Sequence, residues 1–202
     1  MNASIRPLGE DEFDAATAML SRAFWPDPLI GFFCRGLLHE HRFGPLFFAA
    51  DLADLRRYAE ISVGEHDGRI GALAAWAPPG TVPRSGWQQG RQALTASRVL
   101  VRARHRGKAT KLLMEVDRRH PREPHWYLAL LGTDPAATGR GLASALLAPV
   151  LARCDEDGEF AYLETQKQAN VAWYARAGFT LCDEIRLEAT PPVWCLRRDP
   201  RA

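Results

Sequence analysis

The sequence predicts a layered α/β (α+β) domain. Three observations carry the prediction. Two apolar runs flank an Asp-Gly turn at 67–68, a strong hairpin signal. A continuous apolar run, HWYLALLGT at 125–133, feeds a glycine-opened helix, GRGLASALLAPVLARC. From there strand and helix patterns alternate and then close on two strands, as in a sheet covered by helices.

The elements follow in order. IRPL at 5–8 reads as a short opening strand. A helix comes next, with Phe13, Ala16, Met19, Leu20 and Ala23 at helical spacing and Glu10, Asp11 and Glu12 at its positive end. PDPLIGFFCRGLL (26–38) reads as a second short helix behind two prolines, and 39–57 as helical near LADLRRY. The hairpin spans YAEISVGEHDGRIGALAAWAPP and stops at PPG, 78–80. From about 84 to 119 the pattern is helical, with a break near Gly107. The run 125–133 reads as a strand buried on both faces. In the helix after it, Pro149 predicts a kink or an early end. FAYLETQ (160–166) is a strand, ANVAWYARAGF a short helix closed by Gly178, and FTLCDEIRL and VWCLRR two closing strands.

The chain has 202 residues and 22.5 kDa, which fits one domain over 1–202. Area scaling gives roughly 9,500 Å² folded against about 33,000 Å² extended, enough burial for a core without staples. A hydrophobic fraction of 47% and a charged fraction of 25% exclude disordered, collagen-like and coiled-coil chains. A net charge of +2 exerts no global pull towards nucleic acid or anionic membrane. Cys34, Cys154, Cys182 and Cys195 form no CxxC and no zinc spacing, so they read as reduced thiols. With no signal peptide and no apolar run near ~20 residues, the expected setting is soluble and cytoplasmic.

Chemistry concentrates in LLGTDPAATGRGLASALL, 130–147. A buried strand ends in a turn with Asp134 and Pro135, and Gly139 and Gly141 then open a helix. Unpaired N–H groups and the positive end of the dipole suit a phosphate there, and glycine removes the Cβ that would block its approach. Ala143 keeps the turn open and Arg140 adds a cation. A P-loop would need Lys and then Ser or Thr where Leu142 and Ala143 stand, and a dinucleotide fingerprint a third glycine where Ser144 stands.

These residues resemble the GCN5-related N-acetyltransferase (GNAT) family. Its acyl-CoA motif, Q/R-x-x-G-x-G/A, is matched by Thr138, Gly139, Arg140, Gly141, Leu142 and Ala143, with Thr138 in place of Gln or Arg. NVAWYARAGF resembles the second motif through Asn170, Tyr174, Gly178 and Phe179. AFWPDPL and PPVWCLRR resemble the puromycin acetyltransferase-like branch. The resemblance implies a mixed, mostly antiparallel central sheet with helices on both faces, splayed at the acyl-CoA site. It also implies an acceptor-side half over 1–120 and an acyl-CoA half over 121–202.

The implied activity is direct transfer of an acetyl group from acetyl-CoA, as cosubstrate and without metal, to a primary amine of a small molecule. An amine of pKa near 10.4 costs about 4.6 kcal/mol to neutralise at pH 7, so a base, a water relay or a dry pocket must offset that cost. Glu164 is the candidate base, directly or through water. Tyr174 matches the family's general acid for the leaving thiolate, as a hydrogen-bond donor, because full transfer costs roughly 2 kcal/mol. Leu131, Gly132 and Thr133 at the strand end, residues 138–144 and Asn170 are the expected acetyl-CoA contacts; Asn170 also reads as a helix N-cap. Phe24, Asp27, Phe33, Trp76 and Tyr127 are the expected acceptor contacts, with Asp27 or Glu40 as an ammonium partner. Trp25, Phe32 and Trp87 extend that aromatic set.

Other signals are weaker. HEH at 39–41 lacks a third ligand. The basic run 98–111 reads as an amphipathic helix with a solvated face, so no nucleic-acid partner is expected. No membrane partner is expected either, and the chain reads as a monomer or a homodimer. The alternative function is a non-catalytic acyl-CoA-binding module; a DNA-associated regulator is more distant.

Overall fold

The structure, a computed structural model, describes residues 4–25, 27–34, 37–82 and 105–201, with only the backbone course for 37–40. Strand β1 is Ile5–Pro7, and a 3-10 turn at Glu10–Glu12 leads into α1, Phe13–Ala23. Helices α2 (Pro28–Phe33) and α3 (Leu37–Leu55) precede the hairpin β2 (Glu60–His66) and β3 (Arg69–Ala77). Then come α4 (Arg106–Arg119), β4 (Trp126–Thr133), α5 (Leu142–Asp157), β5 (Ala161–Thr165), α6 (Gln168–Ala175), β6 (Thr180–Ile185) and β7 (Val193–Arg198). The hairpin turn has positive φ at both Asp67 (50°) and Gly68 (70°), the geometry that suits the twist of paired strands.

The seven strands lie in the order β1-β2-β3-β4-β5-β7-β6, antiparallel except for β4 with β5. The last strand inserts between β5 and β6, so the C-terminal-side edge is β6, where Leu181 is half exposed. On one face Val63, Leu73 and Ala75 pack against Met19 and Leu20 of α1 and Phe48 and Leu52 of α3. On the other, Ala74, Trp76 and Leu128 pack against Leu146, Leu147 and Val150 of α5. Leu112 of α4 covers Tyr162, Val193 and Cys195.

Of the two outcomes expected at Pro149, an early end is not what happens: α5 continues to Asp157, and α3 likewise runs through Pro45. A proline removes one helical hydrogen bond. Here buried neighbours on both sides hold the helix together: Phe43 and Phe48 around Pro45, Leu147 and Val150 around Pro149. Gly107 lies in the first turn of α4, and the arm expected before it falls outside the described residues, as do Trp87 and residues 98–104 of the basic run.

Strand β4 organises the site. Its register against β3 slips between Ala75 and Trp76, so Ala129 is an extra residue. Ala129 and Leu130 therefore both face the α1–α3 side, while Leu128 and Leu131 face α5. Against β5 it pairs only at Trp126↔Ala161 and Tyr127↔Tyr162. Beyond these the two strands part, as a splayed sheet requires. Along β4 buried residues alternate with partly exposed ones, so the strand is not buried on both faces as expected. The partly exposed set, Tyr127, Ala129, Leu131 and Thr133, lines a cavity.

Candidate active site

The cavity has a volume of about 670 Å³ and runs through the gap between β4 and β5. At one end lie the turn and first helical residues: Thr138, Gly139, Gly141, Leu142, Ala143 and Ser144 all line it. Gly139 and Gly141 both hold φ of 78°, and a Cβ at either would stand in open space. Gly141 is the N-cap of α5 and no side chain caps that end. The first N–H groups of such a helix have no intrahelical partner, so this end keeps its donors for a ligand.

Arg140 is exposed and does not line the cavity. Arg22 of α1 instead holds Asp134 at 2.7 Å, while Asp134 accepts from the Ala136 amide at 3.0 Å. This fixes the turn and neutralises a carboxylate beside the glycines. Gly132 lets α1 close over β4, since a Cβ there would meet Leu20 and Phe24 at 3.0 Å.

Tyr174 and Asn170 line the cavity from α6. The Tyr174 ring packs against Trp173 at 4.9 Å and Phe179 at 5.7 Å, and burial pushes its hydroxyl above the ordinary tyrosine range. Asn170 is not the N-cap: that place belongs to Lys167, and Asn170 donates instead to Thr165 Oγ1 at 2.9 Å. The helix begins three residues earlier than an Asn170 cap implies, and the side chain ties α6 to the end of β5.

Across the splay lies a second group. Glu164 lines the cavity with a side chain only 5% exposed. Phe24, Asp27 and Tyr127 line the same space. Asp27 caps α2 by accepting from the Leu29 amide at 2.9 Å, and Lys167 Nζ stands 3.7 Å away. Burial dominates and pushes the Asp27 carboxyl up.

Phe33 and Trp76 do not reach the cavity. Each is 2% exposed: Phe33 packs on Phe43 and Phe47, and Trp76 faces α5. Ala72, Ala74 and Trp76 alternate onto the same α5-facing side of β3. The Glu40 side chain lies outside the described residues, and His41 packs at a tilt against Trp25, ring centroids 4.2 Å apart. Among the described residues no cluster of three or more His, Cys, Asp or Glu is placed to hold a metal ion, and no helix is long and apolar enough to cross a membrane.

Sequence reasoning passed over His120 and His125. His120 closes α4 and meets Glu164 Oε1 through Nδ1 at 3.1 Å. Its Nε2 meets His125 Nε2 at 3.2 Å, and His125 Nδ1 meets the Glu123 carbonyl at 2.7 Å. The only cue in the sequence was a pair of histidines bracketing the proline-rich HPREPH.

A splayed sheet, a glycine-opened helix at the gap and a buried tyrosine meet around one cavity. A profile of the Acetyltransferase (GNAT) family matches residues 113–179. An uncharacterised N-acetyltransferase of Schizosaccharomyces pombe is 26% identical over 188 residues, 87% of this chain and 74% of the relative. A solved histone acetyltransferase HPA2 and related acetyltransferase from Corynebacterium glutamicum superposes with a TM-score of 0.73 at 22% identity, covering 100% of this chain and 98% of that one. Arylalkylamine N-acetyltransferase 2 from Aedes aegypti gives 0.69 at 15% identity, with 100% of both chains covered. The chain has the GNAT acetyltransferase fold. The family's profile falls on the stretch from α4 to the end of α6, which carries the glycine turn, Glu164 and Tyr174.

Proposed function

We propose that the protein is an N-acetyltransferase that takes acetyl-CoA as cosubstrate and acetylates a primary amine of a small molecule by direct attack in a ternary complex. One observation carries the reading: a single cavity joins the uncapped N-terminus of α5 to Glu164 and Tyr174 across the β4–β5 gap. Acetyl-CoA supplies an activated acetyl group. The amides of the 138–144 turn hold its diphosphate, and Leu131, Gly132 and Thr133 offer backbone groups where β4 has left β5. Asn170 steadies the end of β5 beside them.

The acceptor enters from the α1–α4 side, among Phe24, Asp27, Leu112 and Tyr127. Such a lining fits an amine on an apolar body, as the puromycin acetyltransferase-like segments imply, with Asp27 facing its positive charge. Glu164 takes the ammonium proton. Tyr174 donates a hydrogen bond to the departing sulfur; burial strengthens its hold on the proton, so it shares rather than surrenders it. Residues 1–120 thus form the acceptor side and 121–202 the acetyl-CoA side of one domain.

The test is a thermal-shift titration with acetyl-CoA, followed by an amine panel read by free-thiol release. Tyr174→Phe is expected to lower turnover about 10²-fold with the acetyl-CoA shift unchanged. A shift without thiol release on any amine would favour the non-catalytic binding module. No shift at about millimolar acetyl-CoA would overturn the proposal.

A further inference from the structure

We propose that the base is not Glu164 alone but a proton-sharing trio, Glu164–His120–His125, in which His120 and His125 draw the amine's proton out of the cavity. This rests on the reading of Glu164 as the base.

The argument is one of donors and acceptors. A carbonyl only accepts, so the 2.7 Å contact with the Glu123 carbonyl fixes a proton on His125 Nδ1. His125 is fully buried, and burial holds it below the ordinary histidine range, so it is neutral and its Nε2 is an acceptor. His120 must then donate from Nε2 across 3.2 Å. A neutral His120 would turn the lone pair of Nδ1 on Glu164 Oε1, two acceptors 3.1 Å apart. The contact is attractive only with a proton in it. The trio as folded therefore holds one proton more than a carboxylate and two neutral imidazoles.

Every hydrogen bond in the chain has a donor and an acceptor in this form. The trio can take the amine's proton only after it has released this extra one to solvent, and from that state the step balances. An N–H bond of the ammonium breaks and the amine keeps the electron pair. Glu164 takes the proton and passes it to His120 Nδ1. His120 can release its Nε2 proton to His125 Nε2, which then carries the charge against the Glu123 carbonyl. Nothing is oxidised or reduced.

The surroundings hold the chain in line. Tyr127 of β4 and Tyr162 of β5 meet the His120 ring edge-to-face at 4.7 and 5.1 Å. Phe160 stacks on His125 at 5.1 Å, with Arg197 of β7 over its far face at 3.6 Å. The other titratable groups facing the trio are Cys195 of β7 and Cys182 of β6, both held as thiols by burial, and the Tyr162 hydroxyl, which burial pushes far up. On α4, Arg119 beside His120 is engaged by Glu115 and Asp183. Arg197, the remaining cation nearby, disfavours charge on His125 and so biases the proton towards the Glu164–His120 contact.

The experiment reads imidazole tautomers by nitrogen NMR on the full chain labelled at histidine, at about pH 6.5. The expected pattern is Nδ1–H on His125 and a doubly protonated or shared-proton His120. In Glu164→Gln, whose amide donates to Nδ1, His120 should become a plain neutral Nε2–H ring. His125→Phe keeps the stack on Phe160 and removes the acceptor. It should lower kcat/KM for the amine about tenfold and move the acidic limb of its pH profile, with KM for acetyl-CoA unchanged. A neutral His120 in the native protein at about pH 6.5, or a limb unmoved in His125→Phe, overturns the relay. If Glu164→Gln is nonetheless inactive, the reading of Glu164 as base still stands. Full turnover by Glu164→Gln overturns both.

Discussion

Gly141→Ala and Gly158→Ala make a matched pair at the two ends of α5. Both glycines sit in the left-handed region, at φ of 78° and 71°, and at both an added Cβ would meet nothing within 4 Å. The backbone strain is therefore the same, roughly 1–2 kcal/mol each. At about 2–4 °C per kcal/mol for a chain of this size, each variant should melt about 2–8 °C lower without ligand. Only Gly141 lines the cavity. Its new methyl would stand where the diphosphate must approach, and a tenfold loss of affinity is expected. At a hundredfold excess of acetyl-CoA over Kd, ligand stabilisation is about 2.7 kcal/mol; a tenfold weaker complex keeps about 1.4. The acetyl-CoA shift should thus shrink by about 3–5 °C in Gly141→Ala and stay whole in Gly158→Ala. Differential scanning fluorimetry across an acetyl-CoA series reads both quantities. Equal ligand shifts in the two variants would refute the argument that this helix end holds the cosubstrate.

Three further outcomes follow from groups around the site and core. Asp27→Asn keeps the cap on α2 but removes a buried charge. Because folding raises this carboxyl, its ionised form costs stability above its unfolded pKa. The variant should match or exceed the native melting point at pH 7, with the gap closing as pH falls to about 4. KM for a cationic amine should rise about tenfold while that for acetyl-CoA holds. Asp155 is held at about 2 by Arg198 and the Arg201 amide. A lowered carboxylate stabilises above its unfolded value and loses that contribution as pH falls from about 4 towards 2. Asp155→Asn should cost about 1.5 kcal/mol or more at pH 7 and flatten acid unfolding in that window, followed by circular dichroism. Cys182 is the exposed thiol, though partial burial raises it too; burial pushes Cys154 up to about 11 and Cys195 up to about 12, and Cys34 is buried. Alkylation of the native protein should mark Cys182 alone by mass spectrometry, with the other three reacting after denaturation.

The parts of the fold that rest on local chemistry were legible. The Asp67-Gly68 turn, the acid-led α1 and the glycine stop at 178 each follow from a backbone preference visible in one or two residues. The insertion of β7 between β5 and β6 was not legible. Two apolar strands joined by a short loop make a hairpin whichever of them lies inside, and the choice is made by Val193, Cys195 and Leu196 packing under α4 and α5. Trp76 was misread for a related reason. Alternation fixes two faces of a strand but not which of them meets the cavity.

The same limit explains why the glycine turn was found and the histidine pair was not. A helix start that binds an anion needs particular backbone angles, and only glycine supplies them cheaply, so the requirement is written in adjacent residues. A proton relay needs three side chains a hydrogen bond apart, and these come from the end of α4, the loop before β4 and the middle of β5. Strand β4 hides its role in another way. Tyr127, Ala129 and Leu131 are as apolar as core residues because both a core and a cavity wall exclude water. A residue covered by its own chain and one waiting for a bound ligand satisfy the same pattern. What separates them is the point where β4 stops pairing with β5 after Tyr127, a property of two strands together.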